Sequence, residues 1–404
     1  MNKILDGKTV VLGISGSIAA YKMANVTSML IKLGADVHVI MTKNALNFIN
    51  PITFETLTNN KCLVDTFDRN FEFHVSHVSL GQKADVMLIA PASANIISKM
   101  ANGIADDMLS TTALAATCKK IVAPAMNTHM YNNRITQDNI EKLKKYDFEV
   151  IDPVKGILAC RDIGDGKLPD EETLVNHILR ETACSKDLKG KKVLVTAGAT
   201  MEAIDPVRYI TNHSSGKMGY AIAKMAMLRG ADVTLISGNS TEDIPPFVNF
   251  IKVKSAMDMF KAVKENYKEM DFIIKAAAVA DYTPVNVSEE KIKKKDDDMF
   301  IKLKRTEDIL KFLGENKLKN QIVCGFAMET SNLIENAKEK LKRKKADIIV
   351  ANSLKEEGSG FKGDTNKVTF ITEDDMKALD LMPKEEVAVK LIDELMDLKD
   401  KKEV

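Results

Sequence analysis

No two cysteines of this chain form a Cys-x-x-Cys pair. The five present, at 62, 118, 160, 184 and 324, are scattered and odd in number. That argues against a disulfide framework and against structural zinc. Free thiols are the expectation, with room for one reactive thiol among them. An excess of charge of either sign is also missing. The formal net charge is +1, so no global field marks a nucleic-acid or membrane partner. There is no apolar run of roughly 18 residues, the length a membrane helix needs. The first residues show no signal-peptide core. A cytoplasmic protein acting on small molecules is the expectation.

What is present is ordinary in bulk and patterned in detail. With 404 residues, 45% hydrophobic and 28% charged, the chain can build two or three cores. Its halves echo one another. Gly7-Lys-Thr-Val-Val-Leu-Gly13 resembles Gly190-Lys-Lys-Val-Leu-Val-Thr196, and each is followed by a helical pattern and a Gly-Ala-Asp-Val (34–37 and 230–233). Strand, helix and parallel strand recurring twice predict an α/β fold of two doubly wound, Rossmann-like domains. Their expected extents are residues 1–185 and 186–404, joined near 182–190, a polar, lysine-rich stretch. Near-continuous apolar runs at 84–90, 120–124, 271–277, 321–325 and 346–351 predict strands buried on both faces. A late strand is expected over 367–372 and an amphipathic helix over 383–398.

The two glycines that bracket the echo are 27 residues apart in the first half and 40 in the second. The extra length is a loop after the strand 193–199. It reads Asp205-Pro-Val-Arg-Tyr-Ile-Thr-Asn-His-Ser-Ser-Gly-Lys-Met-Gly219 and concentrates Arg208, Asn212, Ser214, Ser215 and Lys217. Such a set suits phosphate and carboxylate, and the carboxyl end of a strand is where doubly wound sheets bind ligands.

In the first half, Ser15, Gly16 and Ser17 join the first strand to its helix, where small residues admit an anion. They serve equally well as a tight turn. Ser93 and Asn95, in Pro91-Ala-Ser-Ala-Asn95, can cap a helix or contact a flavin. His77, Asn127 and Cys160 are of types suited to catalysis, although a lone histidine is more often structural and Asn127 equally fits a turn. Glycines after Cys160 point to a flap, and a thiol on a flap can donate a proton.

Ala90-Pro-Ala-Ser-Ala-Asn, Gly103-Ile-Ala-Asp-Asp, Ala123-Pro-Ala-Met-Asn and Leu158-Ala-Cys, in that order, resemble FMN-dependent cysteine decarboxylases. The second half, with the 205–219 loop, Ala280-Asp-Tyr, Lys291-Ile-Lys-Lys and Gly325-Phe-Ala-Met-Glu-Thr, resembles phosphopantothenate–cysteine ligase. In tandem the two resemble the bifunctional coenzyme A biosynthesis family over nearly the whole chain.

The resemblance implies a flavodoxin-like FMN domain followed by a ligase domain. The ligase would join cysteine to 4′-phosphopantothenate, with CTP as co-substrate and Mg²⁺, through an acyl-cytidylate. The decarboxylase would then convert the product to 4′-phosphopantetheine, with FMN supplying the electron sink. The FMN contacts implied are Ser15, Gly16, Ser17, Thr42, Ser93 and Asn95, and the catalytic groups are His77, Asn127 and Cys160. For the ligase, Asn212 matches the acyl-phosphate residue, Arg208 a supporting arginine and Lys291 the activation lysine. Read without the family, Lys291 to Lys295 would be a solvated basic loop. The matched nucleotide contacts are Ala276, Ala277, Ala278, Asp281, Glu307, Asp308, Ile309, Leu310, Phe326, Lys340 and Lys344. The family's assembly implies a homo-oligomer, a trimeric decarboxylase core with dimeric ligase domains, as a dodecamer.

Three departures from the family stand out. Where it shows Gly-Arg-Met after the flap, this chain has Gly166-Lys-Leu168. Gly198-Ala-Thr-Met-Glu202 replaces Gly-Gly-Thr-Arg-Glu, and Thr306-Glu-Asp-Ile309 replaces Asn-Pro-Asp-Ile. The first bears on flap contacts and the others on the nucleotide cradle. Rival readings are a non-catalytic flavin-binding regulator of the same fold, or an enzyme with only its ligase half working.

Overall fold

The structure is a computed structural model, and it describes residues 3–67, 76–157, 163–294, 298–329, 332–353, 360 and 363–403. The chain divides into two compact units, Met1–Ser185 and Lys186–Val404.

The first unit is built on five parallel strands: β1 (Thr9–Ile14), β2 (Asp36–Met41), β3 (Val86–Ala92), β4 (Lys119–Pro124) and β5 (Glu149–Val150). Their order is β2-β1-β3-β4-β5, the flavodoxin-like arrangement, whose switch point lies between β1 and β3. Helices α1 (Lys22–Lys32), α2 (Pro51–Thr58), α3 (Ser76–Lys83), α4 (Ala94–Ala101), α5 (Met108–Ala115), α6 (Thr128–Tyr131), α7 (Arg134–Lys145) and α8 (Glu171–Thr182) complete it. The sheet's two faces explain why β1 is apolar from Val10 onward. Val10, Leu12 and Ile14 enter one core with Leu30, Leu174 and Ile178. Val11 enters a second core with Ile89, Leu109 and Leu143. Alternate residues feed opposite layers, and the one polar side chain, Thr9, stands at the start of the strand. A short antiparallel hairpin, β6 (Val154–Ile157) with β7 (Ile163–Lys167), follows β5.

The second unit contains β8 (Lys192–Ala197), β9 (Met201–Ala203), β10 (Tyr209–Thr211), β11 (Asp232–Ser237), β12 (Asn249–Lys252), β13 (Phe272–Lys275), β14 (Tyr282–Pro284), β15 (Leu303–Arg305), β16 (Ile322–Glu329), β17 (Ile348–Ser353), β18 (Thr365–Asn366), β19 (Val368–Ile371), β20 (Met376–Ala378) and β21 (Met382–Pro383). Its main sheet runs β12-β11-β8-β13-β16-β17-β19-β20. The first six strands pair in parallel, while β19 and β20 continue the sheet antiparallel. The parallel part has the 3-2-1-4-5-6 order of a dinucleotide-type fold, with its switch point between β8 and β13. Helices α9 (Lys217–Leu228), α10 (Ala256–Asn266), α11 (Ile309–Asn316), α12 (Leu333–Lys344) and α13 (Lys384–Glu403) accompany it. Leu194, Ile273, Leu313, Val323 and Leu341 share one core.

The strands expected from sequence are present, with ends shifted by a few residues. The C-terminal helix runs past Leu398 to Glu403. The long polar loop is not a plain loop, because β10 lies within it and pairs antiparallel with β9 just before it. Three-residue strands carry too little period-2 pattern to be read in advance. Among the described residues no helix is long and apolar enough to cross a membrane.

Candidate functional site

In the first unit a cavity of about 780 Å³ opens at the carboxyl ends of β1, β2 and β3, lined by Ser15, Gly16, Thr42, Asn44, Ser93 and Asn95 among others. Ser15 is 1% exposed. Its hydroxyl donates to Pro91 O at 2.7 Å and accepts from Ser93 N at 2.8 Å. It therefore stitches β1 to β3 at the switch point. A Cβ at Gly16 would come within 2.7 Å of Asn44 Cβ, so glycine lets the two loops close on each other. Ser17 caps the 3-10 helix Ile18–Tyr21, and Ser93 caps α4. Both serine side chains do the work that the tight-turn and capping readings assign them.

Thr42 is different. Its Oγ1 is buried and finds no hydrogen-bond partner among the described residues. Buried hydroxyls are rarely left so, and this one lines the cavity. A ligand bearing phosphate or carbonyl oxygens would complete it. On the far wall, Lys99 bonds Asp106 at 2.6 Å and Asp107 at 2.7 Å. Burial alone would lower the Lys99 ammonium, but the two carboxylates raise it above its ordinary value. Both carboxylates belong to the Gly103-Ile-Ala-Asp-Asp motif, although neither was given a role from the sequence.

Asn127 begins α6 and accepts from His129 N at 2.8 Å, which is the capping role. Strand β7 lies against this corner. Met126 N donates to Gly166 O at 3.0 Å, and a Cβ at Gly166 (φ +119°) would sit 2.3 Å from Met126 O. At Gly164 a Cβ would meet Thr128 Oγ1 at 2.5 Å. Glycine is thus required where the hairpin passes over Asn127. His77 is half-buried on α3 and is not part of the cavity wall. Cys160 lies outside the described residues, in the segment 158–162 between β6 and β7.

In the second unit the β9–β10 turn is held by Asp205. Its side chain is fully buried and accepts from Val207 N at 2.8 Å, Arg208 N at 2.7 Å, Arg208 Nε at 2.9 Å and Ile292 N at 3.2 Å. The Arg208 guanidinium and these N–H groups outweigh burial and hold the carboxyl far below the usual carboxylate range. Arg208 Nη2 also donates to Ile292 O at 2.8 Å. One Asp–Arg pair therefore clamps the loop to the segment that carries Lys291, whose side chain is exposed. Asn212 Nδ2 donates to Ala278 O at 3.2 Å, just past β13. Asn212 is thereby tied to Ala278, while Arg208 ties the same loop to the Lys291 segment. Gly216 (φ +87°) begins α9, where a Cβ would lie 2.7 Å from Ser240 Oγ.

A second cavity, about 1080 Å³, is lined by Asp281, Glu307, Asp308, Ile309, Leu310, Lys340 and Lys344 among others. These are seven of the residues singled out in the sequence. Phe326 joins them through its carbonyl, which accepts from Lys340 Nζ at 2.9 Å. Asp308 caps α11, accepting from Lys311 N at 2.9 Å, and pairs with Lys344. Burial would raise the Asp308 carboxyl, but Lys344 and the helix N–H hold it below its usual value. Sequence reading missed Lys275 in this wall. Its Nζ donates to Ala277 O at 2.9 Å. Burial, helped by repulsion from Lys340, pushes its ammonium down to about 8. A lysine inside the apolar run 271–277 was the available signal. Among the described residues, no group of three or more His, Cys, Asp or Glu side chains could hold a metal ion.

Residues 2–183 match the flavoprotein family model. Residues 188–398 match the model of the DNA/pantothenate metabolism flavoprotein C-terminal domain. The chain is 47% identical over 401 residues to the coenzyme A biosynthesis bifunctional protein CoaBC of Bacillus subtilis, covering 98% of each chain. It is 46% identical over 387 residues to that of Borreliella burgdorferi, covering 95% of this chain and 98% of the relative. The same-named protein of Escherichia coli K12 is 40% identical over 401 residues, covering 98% of this chain and 99% of the relative. Among solved structures, the C-terminal domain of a protein of this name is 46% identical, covers 54% of this chain and 100% of its own, and has a TM-score of 0.46.

Proposed function

We infer a division of labour from one premise: the chain belongs to the family of bifunctional coenzyme A biosynthesis proteins, enzymes with a decarboxylase half and a ligase half. The first unit is the phosphopantothenoylcysteine decarboxylase and the second the phosphopantothenate–cysteine ligase.

The decarboxylase reading takes FMN as its cofactor. The observation supporting it is the orphan Thr42 hydroxyl in the wall of the strand-end cavity. Gly16, Thr42, Ser93 and Asn95 would hold the flavin, with the Ser15 hydroxyl fixing β1 against β3 rather than binding it. When bound, FMN supplies the oxidation and return of electrons that loss of CO₂ from a cysteine residue needs. The protein's part is placement. Asn127 offers its amide to the departing carboxylate at the corner under β7. His77 orients or deprotonates the substrate, and Cys160 returns a proton.

In the ligase half, CTP with Mg²⁺ activates the carboxylate of 4′-phosphopantothenate. The carboxylate oxygen attacks the α-phosphorus, the bond to pyrophosphate breaks, and an acyl-cytidylate forms. The cysteine amine then displaces CMP. Lys291 neutralises charge during activation, and Asn212 donates to the acyl phosphate. Arg208 acts through Asp205, holding both segments in register. Asp281, Asp308, Lys340 and Lys344 line the cavity for the nucleotide. The supporting observation is that one loop bonds both the Lys291 segment, through Arg208, and Ala278 past β13, through Asn212, although Asn212 and Lys291 are 79 positions apart in the chain.

Following the family resemblance, the chain is a cytoplasmic homo-oligomer, a dodecamer of trimeric decarboxylase cores and paired ligase domains. The test is direct. Full-length protein, after incubation with FMN, should be yellow. It should release pyrophosphate with CTP well above the rate with ATP when phosphopantothenate is present. A colourless protein would overturn the decarboxylase reading, and equal or reversed nucleotide preference would overturn the CTP assignment.

A further inference from the structure

Lys275 has no part in the mechanism given above, yet it occupies an unusual place. It is the last residue of β13, a central strand of the second sheet. Along a strand alternate side chains share a face, so Lys275 shares its face with Ile273 and Ala277. Those two belong to the core formed with Leu310, Leu313, Ala337 and Leu341 of α11 and α12. An ammonium on the core face of a central strand is costly unless something compensates it. Among the described residues it donates to Ala277 O at 2.9 Å, and an ammonium carries three N–H donors. Lysine is a poor choice if the task were only to bond that carbonyl.

Lys275 faces the cavity rather than closed protein. Around it stand Lys340, Lys344 and Glu339 from α12, Glu307 and Asp308 from the start of α11, and Asp281 from the segment after β13. Asp308 is already engaged by Lys344 and by the first turn of α11. Lys340 repels Lys275 more strongly than Asp281 or Asp308 attracts it. Lys275 and Lys340 therefore repel each other on a wall where six cations (Lys275, Arg305, Lys311, Lys340, Arg343 and Lys344) stand against five carboxylates (Asp281, Glu307, Asp308, Glu315 and Glu339). A polyanion relieves that repulsion, whereas a neutral ligand does not.

We propose that Lys275 is a third cation of the nucleotide site, donating directly to the phosphate chain of the bound nucleotide beside Lys340 and Lys344. The proposal rests on the reading that the nucleotide occupies this cavity. It adds a residue to that site and a consequence, because phosphate binding recharges Lys275 and takes up a proton. Above a pH of about 8, where the free protein holds this lysine largely neutral, that uptake approaches one proton and affinity declines.

The experiment is calorimetric titration of full-length, FMN-loaded protein with CTP and Mg²⁺. It is run in buffers of different ionisation enthalpy at about pH 7 and about pH 9, on either side of the titration. Wild type should bind more weakly at the higher pH and take up a proton there. Lys275→Met should raise Kd about tenfold at the lower pH, the size of one charge-assisted hydrogen bond, and abolish both the uptake and the pH dependence. Lys275→Arg should keep the affinity and lose the uptake. Lys340→Met tests the cavity itself. If Lys340→Met weakens binding but Lys275→Met matches wild type at both pH values, the role of Lys275 is refuted and the site stands. If neither changes Kd, the cavity is not the nucleotide site and both readings fall. Should Lys275→Met not fold, judged by lost decarboxylase activity and melting, Lys275→Arg decides, and proton uptake persisting in it refutes the proposal.

Discussion

Replacing Ser15 by alanine separates two accounts of the flavin site. If the serine were chiefly a phosphate ligand, the change would weaken FMN binding and leave the apoprotein alone. The structure places its hydroxyl between β1 and β3 instead. Pro91 O keeps a partner after the change, because Ser15 N also donates to it at 3.2 Å. Ser93 N does not, and it sits at the cap of α4. The cost is therefore one partly buried N–H left without its partner, about 1–3 kcal/mol. Taking roughly 2 kcal/mol, and roughly 2–4 °C per kcal/mol for a domain of this size, the first unit should melt about 4–8 °C lower without flavin. Calorimetry of the apoprotein reads the transition, and hydrogen exchange over 9–14 and 86–93 assigns it to the β1–β3 seam. An apoprotein that melts as wild type while FMN affinity falls would refute the reasoning and return Ser15 to the ligand set.

Three further outcomes are expected. Gly164→Val puts carbon within 2.5 Å of Thr128 Oγ1; the hairpin should lift from Asn127, with decarboxylase kcat/KM down at least about tenfold and ligation unchanged in the same preparation. Asp205 has a depressed folded pKa, so its stabilising contribution is complete above the usual carboxylate range and is lost as pH falls toward its folded value; Asp205→Asn should therefore flatten the acid limb of the second unit's stability curve, and an acid limb of unchanged slope would exclude Asp205 as its source. Asn212→Asp should leave pyrophosphate release intact while amide formation slows by about a hundredfold, and equal loss of both partial reactions would move Asn212 to the activation step.

What could be read from the sequence followed the physics of burial. A strand covered on both faces is apolar at nearly every position, so β1, β3, β8, β13 and β16 were visible as runs. Strands β19 and β20 form an antiparallel edge; β19 falls within the strand expected over 367–372, whereas β20, exposed along its length, was not anticipated. Candidate residues at strand ends were legible because ligands collect there in doubly wound sheets. Their division of labour was not. The Ser15 hydroxyl could be assigned only once Pro91 and Ser93, more than 70 positions away, were known to be its neighbours. Asp205 was given no role from the sequence, because its bond to Ile292 N spans 87 positions. Lys275 was hidden by reading 271–277 as a single apolar run, when the one cation in it was the informative letter.

The Asp205–Arg208 clamp has a bearing on how this ligase can be altered. It makes two distant stretches of chain a single heritable piece. Exchanging the 205–219 loop with that of a related enzyme, to retune the acid it accepts, would carry across half of a mated pair and leave Ile292 facing a foreign turn. A graft that moves 201–212 together with 290–294 transfers the whole joint. Substitutions arising in one stretch should survive chiefly when the other already accommodates them.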